Sequence, residues 1–330
     1  MKENDIRKRS TFNKYLELVE KDAREFFDPA SFAAAGCPSC GGAEHTFEFE
    51  KAGFKYVSCK KCSTLFVNPR PPFNKLKEFY SNSPSTSYWV NEFFKPVAAA
   101  RREKIFRPRA EYLAKMLGKS GELVIGDIGA GFGIFLEELR DIASGNKYIA
   151  VEPSLEMADI CKKNGLEVEC ACMEDITGLD GSFDVLSIFE LAEHLHDPFS
   201  FFKKAHSLLK PGGRLFATTL NGMGFDILLL WEKSKSISPP HHLNFFNPHS
   251  LRYLMERIGF EAEEVSTPGK LDWDIVEGMI KDEGVKAGRL WEMVARSGTD
   301  VCKEGLQDWI ASNDLSSHMR IIARKKGPLS

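Results

Sequence analysis

Three sets of residues in this chain have the types and spacing that chemistry needs. Cys37-Pro38-Ser39-Cys40 and Cys59-Lys60-Lys61-Cys62 are pairs with two-residue gaps, separated by eighteen residues. Each short loop places two sulfurs on one side of a tetrahedron, so Cys37, Cys40, Cys59 and Cys62 match a structural four-thiolate zinc site with no position left for water or substrate. Gly41-Gly42 and Ser63 supply the loose turns of such knuckles. The second set is Asp127-Ile128-Gly129-Ala130-Gly131-Phe132-Gly133, entered from the apolar run Leu123-Val124-Ile125 and followed by helix-like Ile134-Phe135-Leu136-Glu137-Glu138-Leu139. Glycines in a strand-turn-helix let the backbone come close to a ligand, and the helix amino terminus offers unpaired N–H groups. Glu152 ends the apolar run Tyr148-Ile149-Ala150-Val151, about twenty residues past the glycines, where an acid can accept both ribose hydroxyls. The third set is histidine: His194, which follows Glu193, and the pair His241-His242. An imidazole titrates near neutrality and can serve as a base, and the residues alone leave the choice between these positions open.

Positioning these groups requires alternating strands and helices. The run 168–173 reads as a strand leading into Glu174-Asp175, and 182–189 as another ending in Glu190. Helical stretches at 155–163 and 198–209 lie between, and Pro211-Gly212-Gly213 turns into a strand at 214–219. The expected class is α/β, a Rossmann-like doubly wound and mostly parallel sheet whose site lies at the strands' carboxyl ends, with a small amino-terminal zinc ribbon and helical additions.

Together the glycine turn with Asp127, Glu152, Met173-Glu174-Asp175, Asp180-Gly181-Ser182-Phe183-Asp184, the phrase from Glu190 to Pro198 and Leu209-Lys210-Pro211-Gly212-Gly213 resemble the class I S-adenosylmethionine-dependent methyltransferases over roughly residues 100–265. The resemblance implies that Asp127 and the amides around Gly129, Ala130 and Gly131 hold the methionine part of S-adenosylmethionine. It implies that Glu152, beside Pro153, takes the ribose hydroxyls, that Met173 and Glu174 flank the adenine, and that Phe189 and Glu190 face the cofactor. It also implies an antiparallel last strand, read at 319–324, and favours His194 as the base. Cys172 departs from the aspartate many relatives carry before the residue matching Met173, which shifts the adenine amino contact to Glu174 or backbone.

A ribbon followed by Val67-Asn68-Pro69-Arg70-Pro71, with the later segment 240–251, is similar to bacterial sugar and related small-molecule methyltransferases. That likeness implies a small-molecule acceptor, a sugar or nucleotide-sugar hydroxyl or carbon, partly covered by the ribbon and the helices after it. Two rivals stand beside this reading. A ribosomal-RNA base methyltransferase would use Arg101-Arg102-Glu103-Lys104 and Arg107-Pro108-Arg109 on the nucleic acid, although a solvated helix face explains them more simply. A non-catalytic binding protein with a relic cofactor fold is opposed by intact Asp127, Gly129, Gly131 and Glu152.

Of the 330 residues 43% are hydrophobic and the formal net charge is −3, which allows a large core. A pI near 6.3 argues against a protein devoted to gripping phosphate backbones. The start lacks the apolar stretch of a signal peptide and the apolar run near 227–231 is too short to span a bilayer, so a cytoplasmic location is expected. Eight cysteines then point to metal and buried thiols rather than disulfides. The expected organisation is a helical segment 1–36, a zinc ribbon 37–72 with two strands and little core of its own, a helical connector and lid 73–120, and a methyltransferase domain 121–330 with a helical insertion near 221–248. Residues 273–313 read as helical without a function, and the oligomeric state is unspecified.

Overall fold

The computed structural model describes residues 2–118 and 121–327, and eleven strands run through them in chain order. They are β1 (His45–Lys51), β2 (Phe54–Cys59), β3 (Leu65–Val67), β4 (Val124–Ile128), β5 (Lys147–Val151), β6 (Glu167–Glu169), β7 (Phe183–Phe189), β8 (Leu209–Leu220), β9 (Asn244–Phe245), β10 (Phe260–Ser266) and β11 (His318–Lys325). Seven of them form one sheet, β10-β11-β8-β7-β4-β5-β6, and four another, β1-β2-β3-β9. The chain divides into two compact units, a sheet unit of Ala98–Thr218, Leu251–Val265 and Arg320–Ser330 and a ribbon unit of Met1–Val97, Thr219–Ser250 and Ser266–Met319. These bounds do not coincide with divisions at 36 and 72, and position 120 lies outside the described residues. The excursions 219–250 and 266–319 fold with residues 1–97, which reading along the chain does not reveal.

In the sheet unit β4 pairs in parallel with β5 and β7, β5 with β6, and β7 with β8. Ile125, Ile128, Val185, Leu186 and Ile188 are buried, as continuous apolar strand runs demand when both faces are covered. The last strand is antiparallel to β8. Ser317, just before β11, accepts from Asn221 N at the end of β8, whereas Lys325 Nζ donates to the carbonyl of Leu209 at its start. Two local expectations need correction, and one strand was not anticipated. The strand expected over 168–173 stops at Glu169, and Met173–Asp175 forms a 3-10 turn that buries Met173. Pro211-Gly212-Gly213 does not precede β8 but bulges inside it: β8 steps from Leu209 to Arg214 while β7 advances only from Phe183 to Val185. Finally, β10 had no apolar alternation to announce it. Its support is charge, with Glu261 and Glu263 meeting Arg324, Glu263 also meeting Arg214, and Glu264 meeting Arg320.

In the ribbon unit all but the last of residues 11–27, with apolar side chains at helical spacing, lie in the helix Arg9–Phe26, which ends at the extended Phe27 and Asp28 before Pro29. β1 and β2 form the expected hairpin, with its turn between Lys51 and Phe54. The ribbon is not short of core, contrary to expectation. Phe27, Phe54, Tyr56, Leu65, Phe79, Ile227, Leu243 and Phe245 form one buried cluster, gathered from segments too far apart in sequence to be summed by eye. Residues 273–313 hold the helices Asp272–Asp282, Arg289–Ser297 and Asp300–Ser312 around Trp273, Val276, Met279 and Ala295. Among the described residues no helix is long and apolar enough to cross a membrane.

Candidate active site and cysteine centre

Asp127, Glu152 and Glu190 stand at the carboxyl ends of β4, β5 and β7, side by side because those strands are neighbours. Asp127 is buried, and Ser187 of β7 donates its hydroxyl to Oδ1 at 2.6 Å. Burial pushes the Asp127 carboxyl up to about 7, against the pull of the Ser187 hydrogen bond and the Arg109 charge, with Glu152 adding to the rise. Glu152 is held by two backbone donors, Gly131 N to Oε2 at 2.8 Å and Ser154 N to Oε1 at 2.9 Å. Burial nevertheless raises its pKa. The amides of Gly129 and Ala130 donate to the Val151 carbonyl at 2.8 and 3.2 Å, tying the turn to the end of β5 beside Glu152. Gly129, Gly131 and Gly133 have φ of +70, +56 and +75°. At Gly133 a Cβ would also sit 2.7 Å from Leu166 Cδ1 and 2.9 Å from Cys161 Sγ, so the turn packs against the helix Leu155–Lys163 and its exit only as glycine.

The structure brings these predicted residues together and ranks the rest. Pro153 and Glu174 are exposed, and Met173 is buried. Phe189 packs into aromatic core, its ring 4.6 Å from that of Phe135 and 5.3 Å from that of Phe216. Glu190 is left-handed at φ +52°, a strained conformation for a residue with a side chain, of the kind concentrated at functional sites. Thr218 Oγ1 and Arg109 Nη2 each donate to its Oε1 at 2.7 Å. Ser187 and Thr218 were missed by sequence reading, and Arg109 was read only as an RNA contact or a solvated charge. Ser187 carried a signal, a lone hydroxyl in the apolar run Val185 to Ile188, where a buried polar group needs a partner. Nothing in the sequence pointed Arg109 to Glu190. The basic residues around Arg109 lie on a largely solvated helix face, as expected, with Lys104 and Arg107 exposed, but they are also paired: Arg102 with Glu137 and Glu138, and Arg107 with Glu138. With their charge spent on carboxylates, they are poorly placed to hold RNA.

The histidines differ in setting. His194 lies half-buried in the turn after β7, its amide donating to the Leu191 carbonyl at 2.9 Å. His241, in the ribbon unit, is buried with its ring centroid 4.8 Å from Phe79, 5.5 Å from Tyr80 and 5.7 Å from Tyr15. His242 places Nδ1 2.5 Å from the Ser236 carbonyl; since a carbonyl only accepts, this nitrogen carries a proton.

The four cysteines converge within the ribbon unit. Cys37 and Cys62 sulfurs lie 3.5 Å apart, as do those of Cys40 and Cys59, and all four fall within 4.8 Å of one another. A disulfide needs about 2.05 Å, whereas bonds of about 2.3 Å to a tetrahedral zinc put sulfurs about 3.8 Å apart. The two knuckles repeat one pattern. Cys37 N donates to Gly42 O and Gly41 N to Cys37 O, while Cys59 N donates to Thr64 O and Ser63 N to Cys59 O. The left-handed residues are Gly41 at φ +73° and Ser63 at +56°. The hydrogen bond with Cys37 pulls the Cys62 thiol down to about 4 and pushes that of Cys37 up, so the sulfurs compete for a proton where a cation would be shared. From the far side Asn247 Nδ2 donates to the Cys62 carbonyl at 2.9 Å, and Ser39 Oγ to that of Ser250 at 2.7 Å.

Comparison with known proteins agrees with this geometry. Residues 97–265 match the family described as a methyltransferase domain. Ubiquinone biosynthesis O-methyltransferase of Xanthomonas axonopodis pv. citri (strain 306) is 29% identical over 171 residues, covering 48% of this chain and 70% of the relative. The enzyme of the same name from Xanthomonas euvesicatoria pv. vesicatoria (strain 85-10) shows the same identity and coverage. Among solved structures, a chain from the complex of the Haloferax volcanii Trm112 methyltransferase activator with a methyltransferase superposes with a TM-score of 0.51 at 16% identity, covering 72% of this chain and 96% of that one. That likeness is one of fold.

Proposed function

The chain belongs to the methyltransferase-domain family, and from that premise we propose that it transfers the methyl group of S-adenosylmethionine to a hydroxyl oxygen of a small-molecule acceptor, with a structural zinc in its ribbon. The observation that carries the reading is the braced Glu152 beside the left-handed glycines and Asp127, an arrangement of two acids and open backbone suited to a ligand with a diol and an ammonium group. Glu152 takes the ribose hydroxyls, Asp127 faces the methionine ammonium, and Met173 and Glu174 flank the adenine. When bound, S-adenosylmethionine supplies an electrophilic methyl group on a sulfonium and a neutral leaving group. His194 takes the proton of the acceptor hydroxyl, and alignment with exclusion of water does the rest. The names of the relatives favour an oxygen acceptor. The ribbon and the segment 240–251 favour a sugar or nucleotide sugar as its bearer, a class that no relative named above shares. Incubation with S-adenosylmethionine and two acceptor panels, nucleotide sugars and ubiquinone precursors, followed by mass spectrometry for an added methyl group, tests the reading; no transfer to any hydroxyl compound despite tight cofactor binding would refute it.

Two cofactor predictions follow. A buried diol losing its charged acceptor forfeits about 1.5–3 kcal/mol, so Glu152→Ala is expected to weaken S-adenosylmethionine at least about tenfold in calorimetry. Unchanged affinity in a folded variant would put the ribose elsewhere. The second concerns pH. Because the Asp127 carboxyl is raised to about 7, the free protein holds a proton there below neutrality, and an ammonium ligand must displace it. Affinity should therefore rise as pH increases from 6 through 7 and level off above about 8. Asp127→Asn should bind more weakly with that slope gone; a slope that persists in the variant assigns the proton to another group.

A further inference from the structure

The helices Arg289–Ser297 and Asp300–Ser312 turn large apolar side chains outward. Leu290 and Met293, three residues apart on the first, are 60% and 56% exposed; Val301 and Trp309, eight apart on the second, are 79% and 53% exposed. These spacings place each pair on one helical face, unlike the scattered single hydrophobes any surface carries. Gly305 lies midway between Val301 and Trp309, and a Cβ built there meets nothing within 4 Å. Nothing inside the unit calls for a glycine in that helix, whereas a helix approaching from outside would find room.

The charges around these faces are sorted by sign. Exposed charges at the first helix are Lys286, just before it, Arg289 and Arg296; those on the second are Asp300, Glu304 and Asp308. The two exceptions are turned away: Glu292, 21% exposed, lies between Lys286 and Arg296, and Lys303, 16% exposed, is bonded to Glu277 at 2.8 Å. One face is thus apolar and basic, its neighbour in sequence apolar and acidic, with three charges of each sign. An anionic membrane or a nucleic acid would favour basic charge throughout. A second copy of this chain meets both requirements at once, since a two-fold axis sets the basic helix of each protomer against the acidic helix of the other.

We propose that the chain associates as a two-fold dimer in which the helix Arg289–Ser297 of each protomer packs on the helix Asp300–Ser312 of its partner, with Trp309 and Met293 in the apolar centre and the sorted charges as the rim. Aromatic and methionine side chains are the residues that interface centres concentrate. Sedimentation velocity on the full chain should show a reversible dimer that strengthens with concentration. Trp309→Glu should weaken it by about thirtyfold or more, the effect of losing a central aromatic anchor. The sharper test is charge exchange. Arg289→Glu with Arg296→Glu in one protein, and Glu304→Lys with Asp308→Lys in a second, should each be monomeric alone and form a heterodimer when mixed. All these positions are exposed, so circular dichroism should match the parent, and Val301→Glu replaces any variant that does not. A monomer at every concentration, a dimer indifferent to Trp309→Glu, or a mixture that stays monomeric overturns the proposal. So does retention of the parent, but not of Trp309→Glu, on vesicles of anionic lipid, which would give the face to a membrane.

Discussion

Protein purified without chelator is expected to carry one zinc per chain, and Cys37→Ser combined with Cys59→Ser to lose it together with several kcal/mol of stability. Metal binding by four thiolates is worth on the order of 10 kcal/mol in isolated zinc modules, which are unfolded without it. Here the loss should be smaller and more local. β1, β2, β3 and β9 rest on a large aromatic cluster built around Phe27, Tyr56, Phe79 and Phe245, so the sheet keeps its apolar anchor when the knuckles open. The cost falls on residues 37–42 and 59–64, where four sulfurs left close together must share protons. Elemental analysis and thermal melting decide. Zinc near zero in the parent protein, or a variant that melts with the parent, would leave the four cysteines as ordinary buried thiols.

Replacing His194 by alanine is expected to lower turnover by about 10²–10⁴-fold, the usual contribution of a positioned base, while S-adenosylmethionine affinity stays near that of the parent. The residue sits five positions beyond β7, on the same sheet edge as Asp127, Glu152 and Glu190, in a turn closed by its own amide to Leu191. His241 and His242 provide the comparison. His241 packs against three aromatic rings, so its removal should disturb the core more than the chemistry. His242 is oriented by its Nδ1 donating to the Ser236 carbonyl, the kind of bond that holds a base in place. Steady-state rates and calorimetry on the three single variants separate these roles. If His194→Ala turns over at nearly the parental rate and His242→Ala does not, the base belongs to the later loop.

What could be read from the sequence was local. The glycine turn lies between β4 and the helix Ile134–Ile142, as its pattern requires, and Leu155–Lys163 is a helix to the residue. Both signals fall within a dozen residues and rest on backbone rules that need no distant partner. The cysteine spacing was legible for the same reason, since each knuckle closes on itself. Features made by distant partners were not. β9 is two residues long and exists because Leu65 and Phe66 pair with Phe245 and Asn244; nothing in Asn244-Phe245 alone marks a strand. Glu190 was visible as a strand end, but its grip by Arg109 and Thr218 comes from partners 81 and 28 positions away. The organisation of the chain failed to read for the same cause, because two excursions beyond β8 and β10 fold with the first 97 residues and only three-dimensional contact shows it.

The pairing of β9 with β3 also has a meaning for how the chain is made. Cysteine ribbons are commonly pictured as modules that fold as soon as they leave the ribosome. Here the first three strands and all four cysteines emerge early, but the fourth strand and the Asn247 amide that holds the Cys62 carbonyl come some 180 residues later. At about 5–20 residues per second that interval lasts on the order of ten to forty seconds. Throughout it the nascent ribbon exposes the open edge of β3, with Leu65, Phe66 and Val67 uncovered by the segment that buries them in the finished protein. The four cysteines can gather within that window, but the edge of β3 can be closed only after it, so the ribbon finishes folding long after its first three strands are made.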